Sequence, residues 1–278
     1  TLGSGGHFSA ILEKLGPRGT LFGIDADSAA VTRVAERIAL NDVPYARVLF
    51  ARGNFRNIAE MAKTQGLATV DAIVADLGWR MEQFSGEKGL GGGKGFSFTA
   101  DEPLVMTFGD PSAYPFTAAD IVNTWREEDI VQILKSYAEE RYARRIAHAI
   151  VAGRAEKEIG TAAELANIVE RAVPPAYRRS RLHPATKTFQ ALRMAVNDEL
   201  DALTEFIGHA VGMLSSKGRL AIISFHSIED RVVKQTLRTL EAEGIVRRIT
   251  KKPIVATSAE RESNPRARSA KLRIIEKI

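Results

Sequence analysis

The stretch Thr1-Leu-Gly-Ser-Gly-Gly-His7, read together with Gly23-Ile24-Asp25, decides the fold. Gly3, Gly5 and Gly6 make a glycine-rich turn, and Phe8-Ser-Ala-Ile-Leu-Glu-Lys-Leu15 after it carries apolar residues at helical spacing. Glycine lets backbone amides approach a ligand that a Cβ would block, and a helix N-terminus adds partial positive charge. Thr20-Leu-Phe-Gly-Ile24 reads as a strand ending at Asp25. Turn, helix, strand and acid in this order are how a doubly wound α/β fold holds an adenosine-type cofactor, with the carboxylate on the ribose hydroxyls. The alternative is a helix-initiating loop followed by a surface aspartate. A turn of this kind should follow a central strand. Only Thr1-Leu2 stands before it, so we expect the chain to be a fragment of a longer polypeptide.

Further α/β units follow. Asp27 or Ser28 caps a helix with Val31, Val34, Ala35 and Ile38 on its apolar face. Arg47-Val-Leu-Phe50 is a strand, with Phe55 just beyond it, placed either against a purine ring or in the core. Val70-Asp-Ala-Ile-Val-Ala75 is a buried-type strand leading into Asp76-Leu-Gly78. Loops at the carboxyl ends of such strands face the ligand crevice, so Asp76 is either a site residue or a turn former. Residues 85–97 are too rich in glycine for a regular element and read as a flap or a linker.

From Thr117 the pattern is helical for about a hundred residues. Thr161-Ala-Ala-Glu164 is a capping box whose helix stops before Pro174-Pro175. One long helix is expected over roughly Thr186 to Leu214. Arg219 to Phe225 is then a strand ending at His226, Ile228 to Leu240 a helix, and Ile245–Ile249 and Leu272–Ile275 strands. Pro253 to Arg268 is expected to be a loop. The domain reading is an α/β domain over 1–108 and 186–278, with a helical insertion over 109–185.

Composition narrows the function. The chain of 278 residues has 45% apolar and 26% charged residues, ordinary for a soluble globular protein. No apolar run approaches the roughly 18 residues needed to span a bilayer, so no membrane partner is expected. Cysteine is absent, which removes disulfides, thiolate metal sites and cysteine nucleophiles, and fits a cytoplasmic location. The five histidines show no paired metal spacing, so no metal is expected. The net charge of +5 is uneven: residues 230–278 carry +7, residues 137–183 carry +3, and the remainder −5. A basic tail and middle suit a polyanion such as RNA; a solvated basic surface is the alternative.

Several segments resemble one family. They are Thr1–His7, Asp76-Leu-Gly78 with Gln83, Gly95-Phe-Ser-Phe98, Val122-Asn-Thr124, Glu139-Glu-Arg141, His183–Arg193 with Val196–Leu200, Ser224–Arg231 and Asn264–Arg273. Together they resemble the bacterial small-subunit ribosomal RNA cytosine-N4 methyltransferase family (RsmH, also called MraW), in order and along essentially the whole chain. The resemblance implies a class I methyltransferase fold (a Rossmann-like doubly wound sheet) with an inserted all-helical domain that helps recognise RNA. It implies S-adenosylmethionine as cofactor, held by Gly5, Gly6, His7, Asp25, Phe55, Asp76 and Gln83. It implies small-subunit ribosomal RNA, or the assembling subunit, as partner.

Asp76 is then the candidate acceptor for the target amine. Trp79 and Phe96 are candidates to stack on a turned-out base, with core packing as their alternative. His226 is placed to meet the base or a phosphate, and Asn264, Arg266, Arg268, Lys271 and Arg273 offer phosphate partners. The sequence departs from the family at Trp79-Arg80-Met81 and at Val105, Thr107 and Phe108, where the target base should lie. Two other readings stay open: a non-catalytic RNA-binding assembly factor of the same fold, and a methyltransferase with a different acceptor.

Overall fold

The computed structural model describes residues 2–40, 46–78, 93–98, 101–180 and 182–278. The chain divides into two compact units, Thr1–Trp79 with Leu200–Ile278, and Arg80–Glu199.

The first unit is α/β. Its elements begin α1 (Gly6–Leu12), β1 (Thr20–Asp25), α2 (Ser28–Leu40), β2 (Arg47–Arg52), α3 (Ile58–Thr64) and β3 (Val70–Asp76). β1 and β2 pair in parallel, Gly23 opposite Phe50 and Asp25 opposite Arg52. Successive strand residues point to opposite faces, and β1 uses both. Phe22 and Ile24 join one apolar cluster, while Leu21 packs in another with Phe8, Val34 and Phe50. Helices therefore cover both faces. Gly23 permits this packing: a Cβ there would come within 2.5 Å of Leu2 and 2.8 Å of Phe8.

The second unit is helical: α4 (Ala118–Thr124), α5 (Glu127–Ala138), α6 (Ala143–Glu156), α7 (Ala162–Ala172), α8 (Pro175–Arg178) and α9 (Thr186–Val196). Capping boxes at Thr117/Asp120 and Thr161/Glu164 start α4 and α7. The unit is larger than the 109–185 insertion read from the pattern. Phe96, Leu104 and Met106 at one end and Phe189, Leu192 and Val196 at the other all lie in its core. Lys94 to Phe98 are therefore packed rather than part of a flap: Met106 N donates to Lys94 O at 2.7 Å and Gly95 N to Glu102 at 3.0 Å. Residues 85–92 lie outside the described residues.

The first unit resumes with α10 (Glu199–Met213), β4 (Leu214–Ser224), α11 (Ser227–Ala242), β5 (Val246–Arg248), β6 (Ile254–Val255), α12 (Ser258–Ser263) and β7 (Lys271–Lys277). β3 pairs with β4 in parallel, and β7 lies antiparallel between β4 and the edge strands β5 and β6. The single helix expected over 186–214 is broken at Asn197–Asp198, where Asp198 adopts a left-handed φ of 48°. Asn197 explains the break: its side chain donates to Met106 O at 2.7 Å and accepts from Phe108 N at 2.8 Å. The loop expected over 253–268 instead contains β6 and α12, because Ile254 and Val255 pair with Leu272 and Lys271 and Thr257 caps α12. No helix among the described residues is long and apolar enough to cross a membrane.

Candidate cofactor and methyl-transfer site

The glycine turn closes on itself and onto β1. Gly3 and Gly5 have φ of 54° and 82°, left-handed values that favour glycine. Gly5 N donates to Leu2 O at 2.8 Å, and Leu2 N to Ile24 O at 2.9 Å. Asp25 fastens the turn from the end of β1: Oδ2 accepts from Gly3 N and Oδ1 from Asp27 N, both at 3.0 Å. A carboxylate has about four lone-pair sites, and these two bonds leave acceptor capacity for sugar hydroxyls. At Gly6 an added Cβ would meet open space. The turn thus offers backbone and room, and Asp25 an acceptor, as an adenosine-type cofactor requires.

His7 and Asp76 face each other from α1 and the end of β3, Nε2 to Oδ2 at 3.4 Å. The imidazole is 55% exposed and the carboxylate less so. Burial raises the Asp76 pKa above the ordinary carboxylate value, the His7 ring works against it, and the charge of Glu229 works with it. Asp76 therefore holds a proton more readily than a surface aspartate. Gly78, two residues on, has a φ of 109° that a side chain would strain.

Phe55 sits beyond the end of β2, beside Asp25, whose carbonyl accepts from Gly53 N at 2.9 Å. Its partly buried ring meets Phe206 edge-on at 5.2 Å. Five sequence-derived positions, Gly5, His7, Asp25, Phe55 and Asp76, thus gather at the carboxyl ends of β1, β2 and β3. Gly6 opens α1 beside them. Gln83 and Trp79 lie outside the described residues.

Several RNA expectations change. Phe96 is 4% exposed and stacks on Phe108 at 5.8 Å inside the helical core, so it offers no face to a base. His226 is the N-cap of α11: Nδ1 accepts from Glu229 N at 3.3 Å. Its ring is committed to the helix rather than to RNA. The spacing His226-Ser-Ile-Glu229 is a capping-box spacing, the sequence signal that was missed. Arg273 is buried and clasps Asp230 through Nε at 2.7 Å and an Nη at 3.1 Å; Lys271 reaches the same carboxylate at 3.2 Å. Arg273 is therefore an internal partner, and Lys271, partly exposed, is paired with the same carboxylate. Burial alone would raise the Asp230 pKa, but the two cations outweigh it and hold the carboxyl below its ordinary range. Asn264, Arg266 and Arg268 remain exposed.

In the helical unit the departures at 105–108 are packed in place. Thr107 is fully buried, and Lys94 Nζ donates to Thr107 O at 3.1 Å and Gly109 O at 2.6 Å. The same unit holds a pair that spacing did not reveal. The Arg141 guanidinium lies 4.6 Å from the Tyr142 ring centroid and 5.9 Å from that of Tyr177, while buried Glu140 accepts from the Tyr177 hydroxyl at 2.7 Å.

The model of the MraW methylase family matches residues 1–278. The ribosomal RNA small subunit methyltransferase H of Brevibacillus brevis is 42% identical, over all of this chain and 90% of its own length. The proteins of the same name from Symbiobacterium thermophilum and Clostridioides difficile are 40% and 38% identical, over all of this chain and 89% and 91% of theirs. The chain therefore belongs to the MraW methylase family, as an S-adenosylmethionine-dependent methyltransferase.

Proposed function

We propose that this chain methylates the N4 amine of a cytosine in small-subunit ribosomal RNA, in the cytoplasm, with the RNA free or in an assembling subunit. The observation that carries the reading is the convergence of the glycine turn with Asp25 at the end of β1 and of His7 with Asp76 at the end of β3. It occurs in a chain whose relatives are named for this RNA.

When bound, S-adenosylmethionine supplies a methyl group on a sulfonium, whose thioether leaves without protonation. The protein's task is then mainly to position the reactants. Asp25 would hold the ribose hydroxyls with its remaining lone pairs. The Gly5–Gly6 backbone and His7 would line the cofactor's pocket, and the exposed part of Phe55 would offer its purine an apolar face. Gln83 is assigned to the cofactor by resemblance alone. A cytosine amine is a poor nucleophile because its lone pair is delocalised into the ring. Asp76 accepts an N–H of that amine, favours its pyramidal form and takes the proton it loses.

RNA is held by phosphate contacts from exposed Arg266 and Arg268 with Asn264, and in the helical unit by Arg141 on its tyrosine platform. Trp79, a departure from the family that directly follows Asp76-Leu-Gly78 in sequence, keeps its assignment to base stacking from its aromatic side chain and its place in the chain. The test is to map methylated cytosines in small-subunit RNA from cells with and without this protein, and to repeat the transfer on purified particles. One cytosine should lose its N4 methyl group when the protein is absent and regain it in vitro. An unchanged map with no transfer in vitro refutes the reading.

A further inference from the structure

One buried carboxylate beside the site has no role in the scheme above. Glu229 is 4% exposed and stands three residues after the N-cap of α11. Its Oε2 accepts from Phe225 N at 3.0 Å and from His226 N at 3.4 Å. Its Oε1 lies 3.1 Å from His226 Nε2. That contact is short in distance but poor in direction for a hydrogen bond, so it is electrostatic. Because Nδ1 accepts from Glu229 N, a neutral ring carries its proton on Nε2, facing the carboxylate.

Capping does not require this charge. Glutamine closes a capping box as glutamate does, whereas burying an ionised carboxylate is costly. The turn that Glu229 closes lies against the exit of β3. Asp76 pairs with Ile223, Leu77 N donates to Ile223 O at 2.9 Å, and a Cβ on Gly78 would touch the Phe225 ring at 3.4 Å. The neighbouring Asp230 ties α11 to β7 through Arg273 and Lys271, so the backbone that carries Glu229 is anchored.

We infer that Glu229 is a positioning residue for methyl transfer: it holds the Phe225–His226 turn against the end of β3 and places a negative charge beside Asp76. Asp76 thus sits between opposed influences, His7 from α1 and Glu229 from α11 with its His226 partner. Burial first, and Glu229 with it, favour the protonated form, while His7 favours the ionised one. A carboxylate that ionises less readily is the stronger base once ionised, which is what accepting a proton from a weakly acidic amine demands. The inference rests on the reading of Asp76 as acceptor.

The experiment uses the full chain with S-adenosylmethionine and small-subunit particles. Glu229→Gln keeps the shape and removes the charge. Its cofactor Kd should stay within about threefold of wild type, its kcat should fall roughly tenfold, and the acid limb of kcat/KM should move to lower pH. Glu229→Asp keeps the charge but shortens the grip, so kcat should fall while the acid limb stays in place. An unmoved acid limb in Glu229→Gln overturns the inference, as does wild-type kcat in either variant. Should Glu229→Gln fail to fold, Glu229→Asp alone decides through kcat. Asp76→Asn separates the two readings: wild-type transfer in that variant removes Asp76 as acceptor, whereas its loss beside an unaffected Glu229→Gln removes only Glu229.

Discussion

Replacing Asp25 by alanine tests the cofactor site most directly. The carboxylate accepts two backbone N–H bonds, from Gly3 and Asp27, each at 3.0 Å. Hydrogen bonds to a charged acceptor contribute about 1.5–3 kcal/mol when well buried, and the partial exposure of Asp25 argues for the lower end. Losing both costs the turn about 3 kcal/mol, and Gly3, with its left-handed φ, loses its tether. Two ribose hydroxyl bonds of similar strength would be lost on binding, again about 3 kcal/mol, or roughly 100-fold in Kd. Isothermal titration with S-adenosylmethionine reads the affinity, and thermal melting of the free protein reads the turn. Asp25→Asn should rescue neither, because its amide nitrogen must face one of the two backbone donors. A cofactor Kd within threefold of wild type in a folded Asp25→Ala protein would refute the assignment.

Three further outcomes follow from other contacts. Gly5→Ala places a side chain at a φ of 82° with its Cβ 2.9 Å from Val34 and against the Arg37 guanidinium; strain and overpacking together should cost about 2–4 kcal/mol, and a denaturant midpoint equal to wild type would contradict the turn geometry. Asp230→Asn leaves Arg273 buried without a counter-charge and should cost about 3–5 kcal/mol. Because the folded Asp230 titrates below its ordinary value, its stabilisation is full above about pH 4 and is lost as pH falls through the lowered value; denaturant titrations across that window should show this acid dependence in wild type and not in the variant, and parallel curves would refute it. Charge reversal at Arg266 and Arg268 should weaken RNA binding at least tenfold and flatten its salt slope by about 1.4, with cofactor affinity unchanged; an unaltered slope removes this surface from the RNA interface.

What could be read without the fold was local. The glycine turn, the strand ending at Asp25, the acid after β3 and the capping box at Thr161 depend on neighbours within a few residues, so periodicity and spacing carry them. The family motifs added Gln83 and the cofactor's identity, which no spacing rule supplies.

The tertiary structure decided which charges and rings are available. Arg273 reads as an RNA contact until β7 brings it to Asp230, 43 residues away in sequence. Phe96 reads as a stacking face until Phe108 covers it. The break at Asn197–Asp198 interrupts a faultless helical pattern because Asn197 bonds to Met106, 91 residues distant. The placing of buried Glu229 at the turn against the exit of β3 is likewise a product of β3 and β4 lying side by side. Sequence alone determined the order of most turns, helices and strands, because their signals are short-range, but it missed β6, α12 and the break between α9 and α10. Burial and ion pairing depend on residues that only the folded chain brings together, so the structure alone settled which polar groups are consumed inside and which remain for ligands.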